Sequence, residues 1–187
     1  MGQAVAGFSK KGVAYIGVTR DDKAAGAARE DGFIAGLKNA GITLLEENKR
    51  TSAFTLESGY EAALDLLESK CDIDVISCAT DTIAAGAIEA IQTYLKKQVP
   101  ANAADAGARM RYILENTSIR VTGFGDNQML KAVTGGIPTI HFGYKTSGIR
   151  GAELLLDSIE RGEQIPIEMK LGFRLVGTDL SDSENQT

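Results

Sequence analysis

Apolar runs of strand length alternate with segments of helical period along most of this chain. "GVAYIGV" (12–18) is nearly continuous in apolar residues, the appearance of a strand covered on both faces. Asp21 and Asp22 then offer a cap to a helix over 24–40, in which Ala24, Ala28, Phe33, Ile34 and Leu37 recur at helical spacing before Gly41 stops it. The pattern repeats with "ITLLEEN" (42–48) as a strand, Thr55 as a cap, and a helix carrying Tyr60, Ala63, Leu64 and Leu67. "DVISCA" (74–79) predicts a third strand, followed by a helix from Asp81 with Ile83, Ala87, Ala90, Ile91, Tyr94 and Leu95 on one face. After Pro100 a surface excursion with one short helix is expected. "IRVTGFG" then gives a fourth strand, a short helix follows near 126–133, and "IPTIHF" gives a fifth strand. Strict βα alternation of this kind predicts right-handed crossovers and an α/β fold with a doubly wound parallel sheet. The tail departs from it: 145–161 forms an amphipathic helix with Ile149, Ala152, Leu155 and Ile159 on one side, and "IEMKLGFRLV" adds a more alternating return strand over 167–180.

Composition narrows the function classes. With 187 residues, 43% of them hydrophobic and 24% charged, the chain suits one globular domain, and no apolar run approaches the length of a spanning helix. A membrane partner is not expected. The net charge of −5 comes without a dense Lys/Arg cluster, which argues against direct contact with nucleic acid. Cys71 and Cys78 lack metal or disulfide spacing and read as small hydrophobes in a reducing, cytoplasmic setting. "MGQAVAGFSKKG" has no apolar signal region and reads as the end of a helix, so the start is expected to be truncated.

In an open α/β sheet, ligands bind beyond the carboxyl ends of the strands. That edge is predicted to carry the 19–22 loop with Arg29, then Phe54, Thr80 and Asp81, the turn Gly125-Asp126-Asn127, and Phe142 to Tyr144. A guanidinium, carboxylates and a hydroxyl can bond paired hydroxyl groups, while aromatic faces stack on the C–H face of a sugar ring. A carbohydrate is the ligand this set suits. Packing roles compete with that reading: Asp81 and Asp126 as helix N-caps, Phe54 as a hydrophobic staple, Tyr144 packed under the next helix, Arg29 paired with Asp22 or Asp31. Catalysis has less support, because the single histidine, His141, has no Ser or Cys nucleophile in an elbow motif, and it reads as a structural residue on the last sheet strand. There is no nucleotide-phosphate loop and no metal spacing, so neither cofactor nor metal is expected and the chain is not read as an enzyme. A hydrolase or transferase using Asp81, Asp126 and His141 is the enzyme-class alternative.

The segments "VAYIGV…AAREDGFIAGL", "SGYEAALDLL", "ATDTIAAGAIEAI", "VTGFGDN" and "IPTIHFGYKTSGIRGAELLLDSI" occur in the order and spacing of the effector-binding core of the lactose-repressor (LacI/GalR) family, which the chain resembles over about 5–180. "CATDT" and "GYKTSG" resemble the sucrose and trehalose operon repressors most. The resemblance implies a periplasmic-binding-protein-like type I core. Arg29 matches the arginine that holds inducer hydroxyls, and Phe54 an aromatic that stacks on the sugar. Thr80 stands where many members have Asn, which implies that Thr80 faces the pocket while Asp81 starts the helix. Gly125 stands where many members place a ligand-binding Asp, and the resemblance leaves open whether Asp126 replaces it. Phe142 and Tyr144 match crossover positions lining the cleft from the hinge side. Family members resemble a helix-turn-helix joined by a hinge helix to two subdomains with ligand between them. By that likeness this chain begins near the crossover into the second subdomain, with 12–142 mostly C-terminal subdomain and the 145–161 helix belonging to an absent first one. Its effector would be a sugar or sugar phosphate, operator DNA would be reached only through the absent reader, and a homodimer is implied. A periplasmic sugar-binding protein fragment is the alternative of the same architecture.

Overall fold

A computed structural model describes residues 1–95, 107–108, 111, 118–162 and 167–177. Most of the excursion expected after Pro100 lies outside the described residues. A short helix α1 (Gly2–Phe8) precedes β1 (Val13–Gly17), all five residues of which are buried. The next helix opens with a π-helical turn (Lys23–Ala28) before running on as α2 (Arg29–Asn39). Of the two candidate caps, Asp22 does the work, accepting from the backbone N–H groups of Ala24 and Ala25 at 2.9 and 2.8 Å. Gly41 ends the segment with φ +79°, a conformation suited to glycine.

The second strand is displaced from its predicted place. Residues 42–45 do not pair; Ile42 N–H closes the end of α2 on Leu37 O, and Leu44 is buried there. A 3-10 turn (Glu46–Asn48) follows, and β2 is Lys49–Thr51, a short polar strand on the sheet edge. Charged, brief edge strands resist pairing with other chains, which is why apolar patterning did not mark this one. Thr55 caps α3 (Leu56–Glu68), as its sequence predicts, and β3 (Val75–Cys78) is buried throughout. Then come α4 (Asp81–Leu95), β4 (Arg120–Thr122), α5 (Gln128–Thr134), β5 (Thr139–Phe142), α6 (Tyr144–Arg161) and β6 (Phe173–Val176).

Strands run parallel in the order β2-β1-β3-β4. The chain moves one way from β1 to β2 and back the other way from β2 through β3 to β4. Right-handed crossovers therefore put α2 on one face and α3 and α4 on the other, with the order reversing between β1 and β3. The core between these layers includes Ile16, Leu37, Leu66, Ile76, Ile83, Ile88 and Ile91, each essentially inaccessible.

β5 is not a fifth member of that ladder. It pairs antiparallel with β6, Phe142 opposite Phe173, and is tied to the segment after β4 by the backbone bonds Gly123 N–H to Pro138 O and Gly125 N–H to Ile140 O and by contacts of Asp126 with Thr139 and His141. The amphipathic helix exists as α6, yet none of its residues is buried. Among the described residues, no helix is long and apolar enough to cross a membrane.

Candidate functional site

Parallel pairing brings the carboxyl ends of β1, β2, β3 and β4 to one rim, and backbone bonds stitch the loops there: Ser52 N–H to Gly17 O, Ala79 N–H to Ile16 O, and Asp81 N–H to Phe124 O. Neighbouring strands lie about 4.8 Å apart, so Phe54 beyond edge strand β2 and Phe124 beyond β4 flank the rim at opposite ends. The reversal between β1 and β3 lies between them, where open α/β sheets bind ligands.

Arg29 straddles that reversal. It starts α2, after β1, and donates from Nη1 to Ala79 O, after β3, at 2.6 Å, while its guanidinium lies 4.0 Å from the Phe124 ring centroid. The competing ion pair with Asp22 or Asp31 does not form, because Arg20 takes Asp31 and Glu30 instead and Asp22 is held by the helix it caps. Burial pulls the Arg29 guanidinium below its ordinary pKa, by removing water that solvates its charge. Beyond Phe124 the aromatic contacts continue to Phe142, with centroids 4.9 Å apart, and from Phe142 edge-on to Tyr144 at 5.8 Å. Tyr144 is the first residue of α6 and 58% exposed, so it does not pack under that helix.

Arg29, Phe124 and Phe142 border a cavity of ≈ 360 Å³ whose wall also includes Tyr15, Phe33 and Phe173 but not Tyr144. The volume suits a mono- or disaccharide-sized or bicyclic ligand. Phe54, half exposed, and Thr80 do not line it. Phe124, Tyr15 and Phe173 were not singled out from the sequence. Phe124 carried a usable signal, an aromatic directly after a strand; Phe173 owes its place to the β5–β6 register, which is not local.

The Thr80-Asp81 pair is arranged opposite to expectation. Thr80 caps α4, its Oγ1 accepting from Ile83 N–H at 3.2 Å. Asp81 is buried, its carboxylate accepting from Asn127 N–H at 2.6 Å and Thr139 Oγ1 at 2.7 Å. Two tertiary donors outweigh a cap that the neighbouring hydroxyl can supply. Gly123 is required beside it, since a Cβ there would run into Asp81 Oδ1. Asp126 is likewise no cap: Asn127 takes that role, accepting from Met129 and Leu130 N–H. Asp126 has φ +52° and meets His141 Nδ1 at 2.7 Å. His141 thus has a structural partner on the loop after β4. Asp81, Asp126 and Thr139 lie along a second, separate cavity of ≈ 250 Å³. Cys71 and Cys78 are both free, and burial pushes the Cys78 thiol up from its ordinary pKa. Among the described residues no cluster of three metal-ligating side chains occurs.

Comparison with known proteins agrees with this architecture. Residues 5–170 match the family model for periplasmic binding proteins and the sugar-binding domain of the LacI family. HTH-type transcriptional repressor PurR of Yersinia enterocolitica is 28% identical over 151 residues, 81% of this chain and 39% of that protein. PurR of Erwinia tasmaniensis is 30% identical over 146 residues, 77% of this chain and 38% of that one. The chain therefore spans about two fifths of the length of these relatives. Among solved structures, a transcriptional regulator CelR–cellobiose complex superposes with TM-score 0.75 at 22% identity, over 93% of this chain and 48% of that one. The trehalose repressor from Escherichia coli does so with TM-score 0.67 at 20% identity, over 93% and 58%. At such identities the structures speak for the fold, and the family model for kinship: this chain belongs to the family of periplasmic binding proteins and sugar-binding domains of LacI-type regulators.

Proposed function

We propose that this chain is the effector-sensing part of a LacI-type transcriptional repressor, cytoplasmic and without enzymatic activity, whose effector is a sugar or sugar phosphate. The single observation that carries the reading is Arg29, a half-buried guanidinium poised over the β1–β3 reversal, between a backbone carbonyl and an aromatic face on the wall of a ligand-sized cavity. A guanidinium fork there bonds neighbouring hydroxyls, and Phe124 and Phe142 offer faces to the C–H side of a ring. Phe54 and Tyr144, exposed at the same rim, complete the contacts when the opposite half of the cleft closes. That half and the DNA reader belong to the rest of a longer chain, which also covers the apolar stripe of α6 and forms the homodimer. Effector binding then shifts operator affinity only as far as it binds one subdomain orientation better than the other.

The relatives point to two effector classes. Cellobiose accompanies one structural neighbour and trehalose names another, whereas the curated relatives are PurR repressors. A planar heterocycle is the second reading, favoured by the aromatic character of the wall, where Phe33, Phe124, Phe142 and Phe173 meet. Calorimetric titration with cellobiose, trehalose, sucrose, ribose and guanine separates the two. The sugar reading expects one of the sugars to bind and Arg29→Ala to weaken it at least about tenfold, the scale of a lost charge-assisted bond. Binding of guanine alone, or an unchanged affinity in Arg29→Ala, overturns it.

A further inference from the structure

Of the buried side-chain nitrogen and oxygen atoms on the wall of the ≈ 360 Å³ cavity, one has no partner. Arg29 rests on Ala79 O, and Ser77 Oγ accepts from Thr122 Oγ1 at 2.9 Å. Tyr15 is only 3% exposed, and its hydroxyl has no hydrogen-bond partner; among the described residues it is the buried side-chain polar atom left without one. Buried polar atoms are nearly always bonded, because an orphan forfeits its water without compensation. Packing does not account for this hydroxyl, since a phenyl ring would fill the same space and stack equally on Phe33, whose centroid lies 5.0 Å away.

The direction of the ring is informative. A Cβ on Gly17 would come within 2.8 Å of Tyr15 Cε1, so the phenol leans along β1 toward its carboxyl end, where Arg29, Ala79 and Phe124 gather. Gly17 is the residue that leaves it room. Burial raises the phenol well above its ordinary pKa, so it stays a neutral donor and acceptor at any physiological pH.

We propose that the Tyr15 hydroxyl is a specificity-determining contact of this cavity, hydrogen-bonding an oxygen or ring nitrogen on the end of the effector that enters deepest. The inference rests on the effector reading above and extends it to a residue on the floor of the site. The hydroxyl is sealed in the present arrangement, and Arg29, the charged arm of the same wall, is held there by one carbonyl bond and one ring face. Transfer of that guanidinium to a ligand opens the approach to Tyr15. An effector whose inner end is apolar would leave the hydroxyl unpaired and is selected against.

The test is Tyr15→Phe in the longer protein that carries both halves of the cleft, with thermal unfolding measured without ligand and calorimetric titration against cellobiose, trehalose, sucrose, ribose and guanine. The variant is expected to unfold at the wild-type temperature or above it, and to bind whichever probe the wild type binds at least tenfold more weakly. A melting temperature lower by several degrees overturns the inference whatever the affinity, because the hydroxyl then has a structural partner. Equal affinity in both chains overturns it while leaving the cavity reading intact. Failure of the wild type to bind any of the probes removes the cavity reading and this contact with it.

Discussion

In α4, Ile83, Ala87, Ala90 and Ile91 recur at helical spacing and every one is buried; in α6, Ile149, Leu155, Leu156 and Ile159 recur at the same period and remain 47–67% exposed. Their glycines differ in the same way. Gly86 in α4 lies against the backbone of α3, where a Cβ would meet Tyr60 N at 2.5 Å, and a Cβ on Gly59 would meet Ile83 O at 2.7 Å. A Cβ added to Gly148 or Gly151 in α6 would meet nothing within 4 Å beyond its own stretch of helix. An apolar stripe records that a helix needs a partner surface, and only the facing element turns it into a core. In the first region that element is present on both sides of the sheet. In the second, the chain folds a helix with the same signature and leaves it facing outward.

The sharpest way to break this contrast is to truncate one leucine on each side of it. Leu66→Ala, in a fully buried position of α3, is expected to cost about 2–5 kcal/mol in urea unfolding, and Leu155→Ala within about 0.5 kcal/mol. Comparable losses would mean that α6 has a packed face in solution. Glycine replacement sharpens the same point at smaller scale: Gly86→Ala should destabilise by about 1–3 kcal/mol through overpacking, whereas Gly151→Ala should stabilise by roughly 0.5–1 kcal/mol through helix propensity, both read from the same unfolding curves. The smallest effect concerns pH. Backbone donation, first from Ala25 N–H, lowers the Asp22 carboxyl below its ordinary 3.8. Its contribution is therefore complete above that ordinary value and is lost as pH falls through the depressed one. Asp22→Ala should flatten the acid limb of melting temperature against pH.

Two βα units, β1 with α2 and β3 with α4, were legible because each strand is covered on both faces and each helix has one apolar face, so local pattern and tertiary burial carry the same message. β2 was not, because three polar residues on a sheet edge have no apolar period, and the apolar 42–45 run closes α2 instead. The rim was legible from strand order, and Arg29 with Phe142 came out on the cavity wall. Thr80 and Asp81 were exchanged because both can cap a helix, and the choice depends on Asn127 and Thr139, some fifty residues away. The same holds for Asp126, whose partner His141 sits on the next strand. Tyr15 read as one more apolar position in a buried strand, since a phenol's missing partner leaves no trace in a hydrophobic pattern.

The pairing of Phe142 with Phe173 means that the polypeptide departs and returns through one narrow neck. Topologically, residues 143–172 are the loop of a hairpin. Replacing them by a two-residue Asn-Gly link, the turn that suits antiparallel neighbours, should leave a smaller protein in which the parallel sheet and its helices keep their register. α6 is in this sense a detachable module, joined to the rim among the described residues by the four residue pairs of β5 and β6 and by the edge-on contact of Phe142 with Tyr144.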